Sequence, residues 1–567
     1  MKKTLLFISC LLSFLSNAQS PKFEWAKAMG GIATDIGYSV AISGGNVYTT
    51  GMFRHTVDFN PDPIDSFNIS AQGLNDVFIS KLDASGNFVW AKSIGGIKDD
   101  IGYSILVDES GNVYITGYFT GRVDFNPGLD TFNLTSDGDN NIFILKLDNN
   151  GNFIWAKTIG GTNDYFSQVA MIIDASNNIY ITGKFGNLVD FDPDTSIQYN
   201  LTSNGKSDIF ILKLDIDGNF LWVKNLGGNL DDVSHSIALN NFGEIYITGY
   251  FQGNVDFNPD TLIAFNLNSK AAGDMFILKL GNNGEFIWAK GFGGNLWTVP
   301  SSIVVDNSGN IYTTGKFWGT SDFNPAPELF QLTSAGASDI FILKLNNSGN
   351  FLWAKNFGDT SYDDGRSSAV DPFGNIYITG SFQETVDFTH GTQKFKLTAL
   401  ASTSMFILKL DSSGNSIWAQ NIGQNGYAFG NSLSLRANGD LYSTGKFGKT
   451  ADFDPGSDAF NLFDNNSSGD IFVLKLSQPT AGMVENDNTT NIKIYPNPTN
   501  NSVNIDIQKQ IDKVNIEIYN SIGELIAKQS LVKGQNIIEL SNQANGLYFI
   551  KVISENKIIA TPRIIKQ

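Results

Sequence analysis

Asp108-Glu-Ser-Gly-Asn-Val-Tyr-Ile-Thr-Gly117, followed by Ile142-Phe-Ile-Leu-Lys-Leu-Asp-Asn-Asn-Gly-Asn-Phe-Ile-Trp-Ala-Lys157, carries the pattern that decides the fold. Its apolar runs are five to eight residues long, rich in Ile, Val, Phe, Tyr, Thr and Trp, and separated by Asp-x-x-Gly-Asn. β-branched and aromatic side chains fit a pleated surface, and Gly-Asn corners reverse the chain, so the runs read as strands. No sustained 3.6-residue periodicity competes with this reading. One unit supplies four strands: a at 104–108, b at 113–119, c at 142–147 and d at 153–157. Strands b and c are apolar on both faces, which suits a sheet packed between two neighbouring sheets.

The unit recurs along the chain. Trp stands at 25, 90, 155, 222, 288, 353 and 418, spaced 65 to 67 residues apart. The Gly that ends strand b stands at 51, 117, 183, 249, 315, 380 and 445, and the Phe of strand c at 78, 143, 210, 276, 341, 406 and 472. A period of this length made of four strands describes a propeller blade, and seven occurrences predict an all-β, seven-bladed β-propeller over 21–477. The chain opens with a lone d strand at 23–27 and leaves the last unit after strand c at 471–476. Pairing of those two ends would close the ring and leave no open sheet edge.

Both termini carry other signals. Lys2 and Lys3 precede an apolar run over 5–15, and Ser16-Asn17-Ala18 offers small residues, so 1–18 reads as a signal peptide cut between Ala18 and Gln19. The run is shorter than the ~20 residues needed to span a bilayer, and no later segment replaces it. Cys10 is the single cysteine and lies inside the apolar run rather than after it, which argues against a lipid anchor. The mature chain is then cysteine-free, which excludes disulfides, thiolate catalysis and Cys-ligated zinc. Loss of two lysines leaves 36 basic residues against 56 acidic, a net charge of −20, which argues against nucleic acid and anionic lipid as partners. Residues 492–567 hold nine basic and six acidic residues, and no Trp follows Trp418, so this tail is a separate domain joined by a polar linker over 478–491. Its alternating strands, such as Val514-Asn-Ile-Glu-Ile518 and Gly546-Leu-Tyr-Phe-Ile-Lys-Val552, predict a small antiparallel β-sandwich.

The sequence carries no recognisable catalytic motif. His55, His235 and His390 lie far apart with no metal-binding spacing and read as surface or loop residues. No nucleophile elbow or phosphate-binding Gly loop occurs, while a pair of carboxylates converging from distant strands stays open. An insert between strands b and c usually reads Val-Asp-Phe-Asn-Pro, with its Asp at 58, 124, 190, 256, 322, 387 and 452. Asp58, Asn60 and Asp62 have the alternating oxygens that hard cations use, but the dense calcium-loop pattern is missing, so backbone-bonding turns are expected and no metal site. The repeated Lys of strand c, such as Lys146 and Lys213, is expected to pair with such a carboxylate. In one unit both long connections carry an extra indole, Trp297 before strand a and Trp318 after strand b. Alternating strand direction puts those connections on one side of the disc, where two indoles could stack on a sugar ring or fill a gap between loops.

The pattern Val-Asp-x-x-Gly-Asn-x-Tyr-x-Thr-Gly, followed by Asp-x-Phe-Ile-x-Lys-Leu-Asp-x-x-Gly-Asn-x-x-Trp, resembles the bacterial seven-bladed β-propeller repeat family over about 21–477. That resemblance implies fold and an extracytoplasmic setting, with no shared catalytic residue. The Leu-Asp-x-x-Gly-Asn-x-x-Trp stretch is also similar to the tryptophan-docking pattern of quinoprotein propellers, where Trp locks neighbouring blades together; no quinone or other cofactor is expected. Ile494-Tyr-Pro-Asn-Pro498, the Gly-Leu-Tyr strand and the basic end resemble the type A C-terminal sorting domain of the type IX secretion system. This implies a Bacteroidetes-type bacterium, export across the outer membrane by that machinery, and release or surface attachment. The functional expectation is a non-catalytic binding or scaffold propeller for an extracellular glycan or protein, with a carbohydrate-active enzyme and a purely structural coat component as alternatives.

Overall fold

Each Asp-x-x-Gly-Asn corner folds because the Asp carboxylate captures the turn. Asp148 Oδ1 accepts the backbone N–H groups of Asn150 and Asn152, both at 2.8 Å, while Oδ2 accepts the Asn152 side-chain amide. Gly151 takes φ of +76°, a conformation that disfavours side chains. Such corners join the strands of the repeat into antiparallel sheets. The computed structural model describes residues 20–161, 169–194, 196–260, 262–464, 468–478, 492–495, 499, 502–507, 514–520, 525–531, 534–541, 543, 546–554, 557–560 and 563–566. Among them there is no helix, and none that could cross a membrane. The signal segment, its expected junction at Ala18 and Gln19, and the linker beyond Gln478 lie outside the described residues.

The second unit shows the common plan. Strands Ile101–Val107, Val113–Phe119, Asn141–Leu147 and Phe153–Ile159 pair in sequence order as a four-stranded antiparallel sheet. Six more four-stranded arrays follow this order, starting from Ile36–Ser43, Ala170–Ile173, Val233–Leu239, Thr298–Val305, Asp364–Val370 and Tyr427–Leu435. In the last array the fourth strand is Lys22–Gly31 from the N-terminus, antiparallel to Asp470–Ser477 with Phe23 opposite Leu476 and Met29 opposite Ile471.

Packing explains the repeated residues. Tyr48, Val77 and Ile79 of the first sheet share one core with Ile115, Phe143 and Leu145 of the second, so strands b and c meet apolar neighbours on both faces. Phe143 is fully buried, as are its counterparts in the other sheets, each contributing roughly 1.5–3 kcal/mol of transfer energy. Gly117 is needed where it stands, because a Cβ there would meet the Ile101 carbonyl oxygen at 1.8 Å and the Phe143 ring at 2.9 Å. The Trp of strand d joins one sheet to the next. Trp90 Nε1 donates to the Asn149 carbonyl at 3.2 Å, and Gly151 of that same turn lies on the indole face. Trp288 and Trp353 make the same bond to Asn347 and Ser412.

The b–c inserts are short hairpins. Thr56–Asp58 pairs with Asn68–Ser70 and also with Gly30 and Gly31 of the N-terminal strand. Asp58 Oδ1 accepts the N–H groups of Asn60 and Phe67, Asn60 Oδ1 that of Asp62, and Asp62 Oδ1 that of Ile64. The alternating oxygens are thus engaged by backbone. The lysines of strand c do not pair with these carboxylates, contrary to the expectation from sequence. Lys146 Nζ donates to the Ile216 carbonyl at 3.2 Å and lies over the Tyr114 ring, and Lys213 does the same with Asn282 and Tyr180. Strand direction is the reason: the insert enters strand c at its start, whereas the Lys sits near its end, beside the turn of the next sheet.

The chain divides into two compact units, one of them Ala18–Pro479 and the other containing the C-terminal strands. In the latter, Ile492–Tyr495, Ser502–Ile507 and Gly534–Glu539 form one antiparallel sheet. Leu525–Leu531, Val514–Asn520, Gly546–Ser554 and Lys557–Ala560 form the main path of a second, with Arg563–Lys566 also paired to Gly546–Ser554. Val503, Ile505 and Ile538 of the first pack with Ile516, Ile518 and Ile550 of the second.

Candidate functional site

In six units strand a carries a three-residue motif whose outer members are small and whose middle member changes. It reads Gly37-Tyr-Ser39, Gly102-Tyr-Ser104, Ser234-His-Ser236, Pro300-Ser-Ser302, Gly365-Arg-Ser367 and Gly430-Asn-Ser432. In all six the register against strand b slips between the outer members, so the middle residue is an unpaired bulge. A bulge bends its strand and re-aims the side chain it carries. The corresponding segment of the third sheet, 162–168, lies outside the described residues.

The Ser after the bulge fixes this geometry by reaching the neighbouring sheet. Ser39 Oγ accepts the Ile105 N–H at 3.2 Å, Ser236 Oγ that of Ile303, Ser302 Oγ that of Ser368, and Ser367 Oγ that of Leu433. The six bulge side chains, Tyr38, Tyr103, His235, Ser301, Arg366 and Asn431, consequently converge. Together with Val299, Lys316 and Asp364 they line one cavity of about 270 Å³. That is near the lower bound of ligand pockets, which run roughly 300–1,000 Å³.

The walls of the cavity are chemically unlike. On one side the Tyr38 and Tyr103 rings lie 5.2 Å apart at 47°, with Tyr118 5.8 Å beyond Tyr103. Burial raises the phenol pKa of both Tyr38 and Tyr103, so they remain neutral donors. On the other side Asp364 Oδ2 accepts from Lys316 Nζ at 3.0 Å and from Arg366 Nε at 3.2 Å. Arg366 Nη1 donates to Asn431 Oδ1, and Asn431 Nδ2 donates to the Gly37 carbonyl at 2.9 Å. His235 Nδ1 lies 2.7 Å from the Pro300 carbonyl, and burial lowers the imidazole pKa, which keeps the ring neutral.

The two extra Trp residues lie on backbone segments that pair behind this wall. The Trp318 backbone N–H donates to the Trp297 backbone carbonyl at 3.0 Å. Trp297 meets Tyr250 edge-on at 5.3 Å, and Tyr250 in turn meets His235 at 5.6 Å. Lys316 Nζ stands 5.9 Å from the Trp318 ring. Both indoles are half-buried, and Trp297 covers Gly273, where a Cβ would stand 2.3 Å from the indole.

Contrary to the surface or loop position expected from sequence, His235 is on strand Val233–Leu239 and lines the cavity. His55 is exposed on a turn, and His390 lies in an insert, edge-on to Phe357. The bulge residues were not singled out from sequence. Their signal was available, since they differ from unit to unit within a motif whose other members are nearly constant.

Family models match two parts of the chain: a β-propeller repeat at 89–120 and 352–381, and a secretion system C-terminal sorting domain at 493–567. The chain carries β-propeller repeats and a type IX sorting domain. The sorting domain points to secretion and cell-surface attachment through the type IX system. Among curated proteins, it is 25% identical over 548 residues to an uncharacterized WD repeat-containing protein of Acanthamoeba polyphaga mimivirus, covering 81% of this chain and 39% of that protein. It is 23% identical over 228 residues to the regulatory protein FlaEY of Caulobacter vibrioides, covering 38% of this chain and 23% of that protein. The propeller chain thus spans well under half the length of either relative. Solved structures with likeness include an ulvan lyase at 11% identity, covering 75% of this chain and 93% of that one, with a TM-score of 0.38. PorZ of Porphyromonas gingivalis, a surface component of the type IX secretion system, covers 96% of this chain and 100% of that one at 11% identity and a TM-score of 0.18.

Proposed function

We propose that residues 21–477 form a closed seven-bladed propeller that acts as a non-catalytic binding scaffold at the cell surface, and that residues 492–567 serve as its export tag. Closure is supported by bonds between the last and first sheets of the kind that join other neighbours. Val40 N–H donates to Ser432 Oγ at 3.2 Å, and Trp25 Nε1 donates to the Ala84 carbonyl at 3.2 Å. The pocket among the bulges is the recognition site in this reading, with Trp297 and Trp318 extending it on one rim.

One observation carries the functional reading: the residue that varies from unit to unit is the one aimed into the shared pocket. Scaffold positions repeat because each solves the same packing problem, whereas Tyr, His, Ser, Arg and Asn at one structural position serve no common packing purpose. The test is a glycan and protein-ligand array probed with the mature protein and with Tyr103→Ala and Asn431→Ala. Saturable retention lost in both variants, with unchanged thermal unfolding, is the expected result. Retention that ignores both variants would place the site elsewhere, and Trp297→Ala would then show whether the indole rim acts alone. Turnover of a polysaccharide would favour the enzymatic alternative. The absence of any saturable ligand would favour a structural coat.

A further inference from the structure

The strand-a position two residues before Arg366 is apolar in the other described units, as Ile36, Ile101, Val233, Val299 and Phe429, but is Asp364 in the sixth. This acid does not neutralise its surroundings. Lys316 and Arg366 share its Oδ2, and its Oδ1 is buried without a hydrogen-bond partner. A structural ion pair needs one cation, and here there are two. Asn431 fixes the guanidinium through Nη1, so it does not swing away to solvent. Among the described lining residues Lys316 and Arg366 outnumber Asp364, so this wall is locally cationic in a chain whose formal net charge is −18. A charge reversed against the overall field concentrates ligands of the opposite sign at that spot.

The opposite wall is aromatic. Tyr38 and Tyr103 come from the first two sheets, while the cations come from the fifth and sixth. Aromatic faces take the C–H face of a sugar ring, leaving hydroxyls to polar neighbours such as Ser301 and Asn431. A cavity of about 270 Å³ suits one sugar residue or the end of a chain rather than a long segment laid flat.

We propose that the pocket binds an acidic sugar residue, with its carboxylate or sulfate against Lys316 and Arg366 and its ring against Tyr38 and Tyr103. The inference rests on the reading of this pocket as the binding site. Its test measures affinity of the mature protein for oligosaccharides ending in glucuronate or galacturonate, for O-sulfated oligosaccharides, and for the neutral counterparts of each. Acidic ligands bind, neutral ones bind at least ~10-fold more weakly, and affinity falls with added salt. Arg366→Gln and Lys316→Gln each weaken binding by about 10-fold. Asp364→Asn, which removes the competing carboxylate, strengthens it several-fold, a change that impaired folding would not produce. If Arg366→Gln proves unfolded by circular dichroism, Lys316→Gln and Asp364→Asn decide the matter. A preference for carboxylate over sulfate, or the reverse, identifies the source of the charge and supports the proposal either way. Neutral sugars bound as tightly as acidic ones, with loss only in Tyr103→Ala, would overturn the acidic ligand and leave the pocket standing. Binding that survives both Tyr103→Ala and Asn431→Ala overturns the pocket itself. Capture of an acidic peptide in place of every sugar overturns the sugar assignment.

Discussion

Removing residues 19–27 from the mature chain tests how much the N-terminal strand contributes. The deletion takes away five paired positions, from Lys22 opposite Ser477 to Lys27 opposite Val473. Phe23, which packs on Phe460 at 4.9 Å, and Trp25, which bonds to Ala84, are half-buried, so each contributes about half of the ~3–5 kcal/mol expected for full truncation of a buried aromatic. Lost ladder hydrogen bonds add roughly 1 kcal/mol net apiece for the few involved. The expected loss is on the order of 5–8 kcal/mol, set against total domain stabilities of roughly 5–15 kcal/mol. Urea unfolding followed by tryptophan fluorescence reads this loss as a large fall in midpoint. A synthetic peptide of residues 20–27 should restore much of it, because its acceptor strand Asp470–Ser477 remains in place. An unchanged midpoint in the truncated protein would refute the reasoning.

Other expectations follow from single features. Gly151→Ala places a Cβ about 3.0 Å from Lys92 Cε and 3.3 Å from the Trp90 ring at a φ of +76°, and should cost roughly 1–2 kcal/mol, seen as a lower melting temperature. Burial raises the carboxyl pKa values of Asp35, Asp100 and Asp363 to about 7 and that of Asp470 to about 8. These groups hold protons when folded and release them on unfolding, so their stabilisation is complete below about pH 4 and is lost as pH rises through 7 to 8. Urea midpoints should therefore fall from about pH 5 to pH 8, and Asp100→Asn should flatten that slope; a midpoint that rises over this interval would contradict it. Turn carboxylates such as Asp83, Asp148 and Asp215, lowered by hydrogen bonds from the following Asn in spite of partial burial, act in the opposite sense below about pH 4. Deleting residues 492–567 should leave the propeller folded inside the outer membrane, and its efficient appearance in the medium would count against the tail as an export signal.

The division between what the sequence disclosed and what it hid has a physical cause. Trp90, Gly117 and Phe143 recur with their counterparts because each meets the same neighbours in every sheet, so periodicity alone exposed strands, core and turn chemistry. Periodicity says nothing about direction of approach, and Lys146 was paired with the wrong partner because its reach depends on which end of strand c faces the next sheet. Trp297 and Trp318 stand out as departures from the repeat, and their backbones pair, but the Trp297 ring lies against Gly273 and Tyr250. The bulge residues escaped for the opposite reason. Similarity among units hides the position where they disagree, and the sequence around His235 has no metal-binding spacing to mark it as a site residue. Only the one-residue register slip reveals that Tyr38, Tyr103, His235, Ser301, Arg366 and Asn431 occupy equivalent places and face a common cavity. Asp364 sharpens the point, because an acid in an otherwise apolar position, with two cations on one oxygen and none on the other, serves sheet packing poorly and charge selection well. In a chain built by repetition, the residues that select a ligand are to be sought where structural equivalence persists and chemical identity does not.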